Sequence, residues 1–342
     1  MPALEDKLVQ WVTAQLCTTI WEQEFLGFSY GFRPKRNPHN ALDALTVGLQ
    51  RKHVNWVLDA DIRAFFDTLS HEWLVKFVEH RIGDKRIVGL IQQWLKAGVM
   101  EDGIRTQSEE GTPQGGLISP ILANIYLHYV FDLWAHDWRK RNARGDVILV
   151  RYADDFVAGF EGRAEAERFQ RDLRERLNRF KLELQTDKTR LLEFGRFASL
   201  DRARRGESKP DTFTFLGFTF SCGRTRKGGF SVLRQTIQKR MRAKVQSLKQ
   251  ELHRRLHDPI PEQGAWLRTV LLGHYRYYGV PMNGPALRAF WNEVIRLWRV
   301  GLRRRSQRGR ITRQRMDCLI RDWLPLPRIY HPYPSQRLRV TT

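Results

Sequence analysis

A chain of 342 residues, 42% apolar and 11% aromatic, has core-forming side chains for about two folded domains and is not disordered. Its net charge of +22 is uneven: residues 221–342 carry 27 Lys and Arg against 6 Asp and Glu, whereas residues 1–220 carry 32 against 31. A basic block still rich in Trp, Tyr and Leu suits a folded module that neutralises a phosphate backbone, whereas no apolar run approaches the roughly 18 residues of a spanning helix, so a membrane role is disfavoured and cytoplasmic residence expected. Cys17, Cys222 and Cys318 lie far apart with no C-x-x-C pair, which excludes a disulfide framework, a zinc site and an appended Cys/His zinc nuclease module.

Apolar spacing at Leu8, Trp11, Val12 and Ile20 predicts a helix over residues 4–22, followed by a loop at Gly27 to Pro34. Val54 to Ala60 reads as a strand, and Ser70 is the expected N-cap of the next helix. A Gly- and Pro-rich loop from Gly111 to Pro120 precedes an apolar helix, Ile121 to Trp134. Two short apolar runs, Val147 to Val150 and Phe156 to Ala158, read as buried strands joined by a tight turn at Tyr152-Ala153-Asp154-Asp155. Phe169, Leu173, Leu177 and Phe180 then mark a helix, and this whole middle region reads as one mixed sheet with its helices.

Near residue 211 the pattern changes. Phe213, Phe215, Phe218 and Phe220 predict a strand interrupted at Gly217, and a Gly228-Gly229 turn leads to a second strand through Val232, a hairpin expected to bridge two domains. Ile237, Met241, Val245, Leu248, Leu252 and Leu256 step at helical spacing, with Lys239, Arg240, Arg242, Lys244, Lys249, Arg254 and Arg255 on the other faces. Leu287, Phe290, Trp291, Val294, Leu297 and Trp298 predict a further helix running into Arg303-Arg304-Arg305.

The chemistry lies in the acids. A tight turn brings Asp154 and Asp155 to one edge of a sheet, where two carboxylates suit a hard divalent cation. Pairs of such ions activate the attacking oxygen and stabilise the leaving oxygen in phosphoryl transfer. A third carboxylate comes from Leu58-Asp59-Ala60-Asp61, where Asp59 and Asp61 share one strand face. Either could be the ligand, and spacing does not choose between them.

Asp61 followed by Phe65-Phe66-Asp67 resembles the reverse transcriptases encoded by group II introns. The resemblance extends through Ser29-Tyr30-Gly31-Phe32-Arg33-Pro34 with His39, Ala41 and Leu42, and through Gly111-Thr112-Pro113-Gln114-Gly115-Gly116-Leu117-Ile118-Ser119-Pro120. It continues with Leu182, Leu184, Lys188 and Thr189, then Phe215-Leu216-Gly217, and in the tail with Tyr277-Tyr278, Arg304-Arg305-Ser306-Gln307 and Pro327 to Pro332. These blocks, in family order, cover nearly the whole chain.

The resemblance implies an α+β fold: a right-hand polymerase palm, an antiparallel sheet with helices, at 53–222, partial fingers at 1–52, and a basic helical thumb and maturase region at 223–342. It favours Asp61 over Asp59, and makes Asp61, Ile62, Asp154 and Asp155 the ligands of two Mg²⁺ ions. Lys188 is the expected proton donor to pyrophosphate, and Phe66, Pro113, Gln114 and Gly115 the expected nucleotide pocket. Lys239, Arg240, Arg242, Lys244, Arg303, Arg304 and Arg305 are expected to bind RNA. The implied activity is RNA-directed DNA synthesis from deoxynucleoside triphosphates on a DNA primer and an RNA template, together with maturase binding of intron RNA in a ribonucleoprotein. Met1 to Gln10 resembles the middle of the family's second block, so most of the fingers is expected to be missing. The alternative is therefore a splicing maturase that binds RNA without polymerising.

Overall fold

The computed structural model describes residues 4–96, 99–101, 104–106, 111, 116–225, 227–305 and 311–337. The chain divides into two units, Met1–Asp211 and Thr212–Thr342. The first opens with α1 (Leu4–Trp21) and α2 (Pro38–Arg51), then β1 (Trp56–Ala60), a single turn α3 (Phe65–Thr68), α4 (His71–Glu79) and α5 (Lys85–Lys96). A small hairpin, β2 (Val99–Glu101) and β3 (Ile104–Thr106), precedes α6 (Ser119–Leu127) and α7 (Leu133–Asn142). β4 (Val147–Tyr152), β5 (Asp155–Phe160), α8 (Arg163–Asn178), β6 (Arg190–Glu193) and α9 (Ala198–Arg204) complete the unit.

Local sequence accounts for several of these ends. Asn37 and Asn40 cap each other's backbone at the start of α2, with Pro38 at the first helical position where its missing N–H costs nothing. Ser70 stands at the N-cap of α4 as expected, yet its buried hydroxyl makes no capping bond.

The four strands run in the order β4-β5-β1-β6, and every neighbouring pair is antiparallel. The mixed sheet read from the apolar runs is thus corrected to an antiparallel one, as the resemblance implied. Strand direction was not readable because β1 and β4 are separated by several helices, and either direction is compatible with a connection that long. Leu58, Ala60, Phe156 and Ala158 share one sheet face and pack into a core with Ile121 and Ile125 of α6 and Phe169, Leu173 and Leu177 of α8. The alternate residues Asp59, Asp61 and Asp155 therefore project from the other face.

The apolar helix expected at Ile121 to Trp134 is present, with one irregularity. Residues His128–Asp132 form a π-helical turn between α6 and α7. Such turns insert one residue into a helix and often occur at functional sites. Asp132 at its end is wholly buried.

In the second unit, β7 (Phe213–Phe215), β8 (Phe218–Arg224) and β9 (Phe230–Thr236) form an antiparallel sheet. Leu216 and Gly217 take positive φ, 46° and 83°, so the expected interrupted strand instead folds back on itself. Phe213 then stacks on Phe220 with centroids 4.9 Å apart, and Phe215 faces Phe218. The expected domain boundary at 222 falls inside β8, whose pairing places it with the second unit. α10 (Gln238–Arg254), α11 (Ile260–Tyr278), α12 (Gly284–Arg304), α13 (Arg313–Trp323) and a short α14 (Pro334–Arg337) follow. Leu248, Leu267, Leu271, Tyr275, Phe290 and Trp298 are the centre of their shared core. Among the described residues, no helix is long and apolar enough to cross a membrane.

Candidate functional site

The β4–β5 hairpin closes through Ala153 and Asp154, with Tyr152 paired to Asp155. A two-residue hairpin turn needs positive φ, and Ala153 adopts it at 56°. A buried network holds it there. Arg151 is wholly buried and all five of its N–H groups are engaged: Nε and Nη2 donate to the two Asp132 oxygens at 2.7 and 2.5 Å, Nη2 to Ser29 Oγ at 2.7 Å, and Nη1 to Asn124 Oδ1 and the Ala153 carbonyl at 3.1 and 2.9 Å.

Asn124 donates onward to the Gly31 carbonyl at 2.7 Å. Gly31 must lack a side chain, since a Cβ there would stand 2.3 Å from the Ala153 nitrogen. Arg33, also buried, fixes the same loop by donating to both Glu22 oxygens at 2.9 and 2.8 Å and to the Leu26 and Ser29 carbonyls. Sequence reasoning saw the Ser29 to Pro34 block but missed this network. Its one sequence signal is a charged residue, Arg151, inside an apolar strand.

The register locates the acids. β1 and β5 pair Asp59 with Val157 and Ala60 with Phe156, and the same register carried one residue past the pairing would put Asp61 opposite Asp155 at the start of β5. Arg190 on β6 faces Asp59, 3.4 Å from its Oδ2. Lys188 Nζ donates to Asp61 Oδ2 at 2.7 Å. A turn in which the amides of Lys188 and Thr189 bond the Gln185 carbonyl positions that lysine, while the Gln185 amide bonds the Asp61 carbonyl at 2.8 Å.

Electrostatics groups the same residues. Burial pushes the Asp154 carboxyl above the usual range, and the charge of Asp61 adds to that push, against its own backbone amide, Arg151 and Lys188. Lys188 is raised chiefly by its bond to Asp61, with help from Asp155 and Asp154. Asp59 is raised by burial and by the charge of Asp61, and Arg190 opposes that rise. Asp61 thus shares a field with the turn acids, while Asp59 has Arg190 as its ion partner.

The donor set is hard oxygen throughout. Ile62 has a buried side chain, so it can offer a cation only its carbonyl. Ile62 and Leu184 are a non-hydrogen-bonded pair, with Arg63 N bonded to Glu183 O and Gln185 N to Asp61 O, which turns the Ile62 carbonyl away from residues 183–185. Carboxylates and a carbonyl suit Mg²⁺, whose charge would relieve the strained ionisation of Asp154.

Among the described residues, the one set of three ligand atoms within 4.8 Å of one another is elsewhere, at His53, Asp146 and Glu161. The carboxylate oxygens of the three site aspartates do not all lie within that distance of one another. The His53 set is already engaged with the protein: Asp146 accepts from Lys52 Nζ and the His53 amide, and Glu161 from the Asp146 amide.

Phe65 is buried in the core, while Phe66 beside it is half-exposed, their centroids 5.3 Å apart. Pro113, Gln114 and Gly115 lie outside the described residues. Gly111 before them has φ 88°, and a Cβ there would stand 2.8 and 2.9 Å from the Asp67 and Phe66 carbonyl oxygens, so Gly111 itself lies against the backbone of α3. Its amide bonds the Leu69 carbonyl at 2.7 Å.

Lys239, Arg240, Arg242 and Lys244 are exposed on α10, as are Arg303 and Arg304 at the end of α12, while half-buried Arg305 donates to the His257 carbonyl at 3.2 Å. These two groups are not brought together. Arg304 lines a cavity with the Gln246 to Leu256 half of α10, so the groups sit near opposite ends of that helix, roughly 20 Å apart at 1.5 Å per residue.

Comparisons with known proteins bear on the whole arrangement. The family model described as reverse transcriptase (RNA-dependent DNA polymerase) matches residues 1–220. The chain is 32% identical over 279 residues to protein YkfC of Escherichia coli (strain K12), spanning 72% of this chain and 69% of that protein. It is 38% identical over 128 residues to the group II intron-encoded protein LtrA of Lactococcus lactis subsp. cremoris, spanning 37% of this chain and about a fifth (21%) of LtrA. Among solved structures, telomerase from Candida albicans in complex with a fragment of telomeric RNA aligns with a TM-score of 0.47 at 15% identity, over 86% of this chain and 52% of that one.

Proposed function

This chain belongs to the reverse transcriptase (RNA-dependent DNA polymerase) family, and from that premise we propose that it extends a DNA primer with deoxynucleoside triphosphates along an RNA template. The observation that carries the reading is the grouping of Asp61, bonded to Lys188, with the acids Asp154 and Asp155 of a turn that Arg151 fixes. Asp61, the Ile62 carbonyl, Asp154 and Asp155 would hold two Mg²⁺ ions. When bound, such a pair activates the primer 3′-hydroxyl and neutralises the triphosphate.

The rest is the work of the chain. Arg151 and the Gly31 loop hold the turn, so the carboxylates do not reorganise as charge develops. Lys188, held protonated by the acids around it, is within reach to donate a proton to departing pyrophosphate. Half-exposed Phe66 offers a ring against which a sugar can pack, and a bulky ring there would exclude a 2′-hydroxyl. Pro113, Gln114 and Gly115 would complete the nucleotide pocket. In this reading the first unit, up to Asp211, acts as a right-hand palm with residues 1–52 as part of the fingers, and Thr212–Thr342 acts as a thumb and maturase region binding intron RNA in a ribonucleoprotein.

Primer extension on an RNA template tests the reading, run with the parent chain and with the Asp154→Ala plus Asp155→Ala double variant. Mg²⁺-dependent products from the parent alone are expected. A parent chain that yields no products would sink it. A second reading, an RNA-binding maturase without polymerisation, is favoured by one observation, the 27 cations against 6 acids after residue 220. It predicts RNA binding that survives the double substitution in a chain that makes no DNA.

A further inference from the structure

Beside α10 and α11 in the second unit lies a cavity of about 360 Å³, within the size range of small-ligand sites. Two cations of α10, Arg240 and Lys244, line it one helical turn apart, and among the described residues neither pairs with an acid. His274 also lines it. That side chain is only 8% exposed, and its Nε2 has no hydrogen-bond partner. Its ring is fixed by stacking on Phe290, centroids 3.9 Å apart, and by Tyr278 at 4.7 Å. A buried polar atom left without a partner at a cavity wall is a place where a ligand or water is expected.

Thr236, Met241, Thr269 and Val270 also line the cavity, and the two tyrosines of its wall are held in place. Tyr277 donates to the Leu216 carbonyl at 2.9 Å, and both Tyr277 and Tyr278 pack on Phe218. The mouth is kept open by a glycine that the fold does not require. On α11, Gly264 is explained by packing, since a Cβ there would stand 2.5 Å from Trp323. Gly273, on the same helix and lining the cavity, has nothing within 4 Å of the Cβ it lacks. A helix-interior glycine is less stable than alanine, so the internal packing of the chain gives no reason for it, whereas access to the cavity does.

We propose that this cavity captures one unpaired nucleotide of a bound RNA strand, with its phosphate at Arg240 and Lys244, its base against Tyr277 and Tyr278, and a base edge on His274 Nε2. Inorganic phosphate would use only the cations and leave the aromatic wall and His274 unmet. Lys239 and Arg242, exposed and outside the lining, put further cations on the other faces of the same turns of α10, which a continuing strand can reach and a free nucleotide in the cavity cannot use. The inference rests on the RNA-binding reading of this unit.

The test uses the full chain, as parent and as Gly273→Leu, which fills the mouth with a good helix former. Binding is measured to an RNA hairpin with a single unpaired adenosine and to the same hairpin fully paired, with circular dichroism to verify the fold. The parent should prefer the bulged hairpin about tenfold, and Gly273→Leu should lose the preference while binding paired RNA as before. A preference that survives Gly273→Leu, or equal binding of both hairpins by the parent, overturns the pocket alone. Failure to bind either hairpin overturns the RNA-binding reading with it. Adenosine monophosphate bound as tightly as the bulged hairpin would make the site one for free nucleotide and overturn the strand assignment.

Discussion

Arg151 shows how one side chain can position a site it does not enter. Its five donors reach Ser29, Asn124, Asp132 and the Ala153 carbonyl, so the turn bearing Asp154 is braced from within the core. Replacing it leaves Asp132 charged, buried and alone. Arg151→Met should therefore cost about 3–5 kcal/mol in urea unfolding, and adding Asp132→Leu should recover most of that loss. A single variant within about 1 kcal/mol of the parent would mean that the pair is dispensable. His274 gives a second residue-level expectation, now in pH. Burial and the charge of Lys244 lower it from 6.5 to about 4, so between those values the unfolded chain binds a proton that the folded chain refuses. The stability it contributes is complete above pH 6.5 and is lost as pH falls toward 4, by up to about 3 kcal/mol. Denaturant unfolding at pH 7.5 and pH 4.5 should show that slope in the parent and a flatter one in His274→Phe. Equal slopes would refute it.

Elements differ in how far their sequence declares them. The helices α8, α10 and α12 were legible because apolar residues recur at one helical face, and the β4–β5 hairpin because two apolar runs flank a turn too short for anything else. The π-helical turn was not, since an apolar run from Ile121 to Trp134 has the same composition with or without one inserted residue. Nor could spacing separate Asp59 from Asp61. Residues two apart share a face, and only the register with β6 hands Asp59 to Arg190, while the bond from Lys188 and the shared charge with Asp154 group Asp61 with the turn. The Arg151 network stayed hidden for a related reason: Ser29 lies 122 positions away from it. Helix α11 offers a paired experiment at this scale. Gly264→Ala would drive a Cβ to 2.5 Å from Trp323 Cγ and should lower the melting temperature, because α13 must move. Gly273→Ala meets nothing and should raise stability by about 0.5–1 kcal/mol. Thermal shifts of the same sign for both would show that helix propensity, and not the α11–α13 contact, governs this pair.

At the scale of the whole molecule, charge and architecture divide at the same place. No charged residue lies between Asp211 and Ser221, so the unit Thr212–Thr342 holds all 27 cations and 6 acids of the basic block, and the unit before it is nearly neutral. Of those 27 cations 23 are arginines, whose planar fork matches a phosphate better than the point charge of lysine does. A surface built this way should lose RNA affinity steeply as salt rises, because each neutralised phosphate releases counterions. The arrangement of the cations makes the expectation sharper. Arg240 and Lys244 lie toward one end of α10, and Arg303 and Arg304 toward the other, roughly 20 Å away. A single phosphate cannot span that distance, so each pair should hold its own. Replacing either pair by Gln should lower the slope of log K against log salt by about 2, one for each lost contact. Sites so far apart act independently, so the fourfold variant should lose about 4. A fourfold variant with the slope of either double would place only one of the pairs on the RNA, and the other would then be charge that merely keeps the unit in solution.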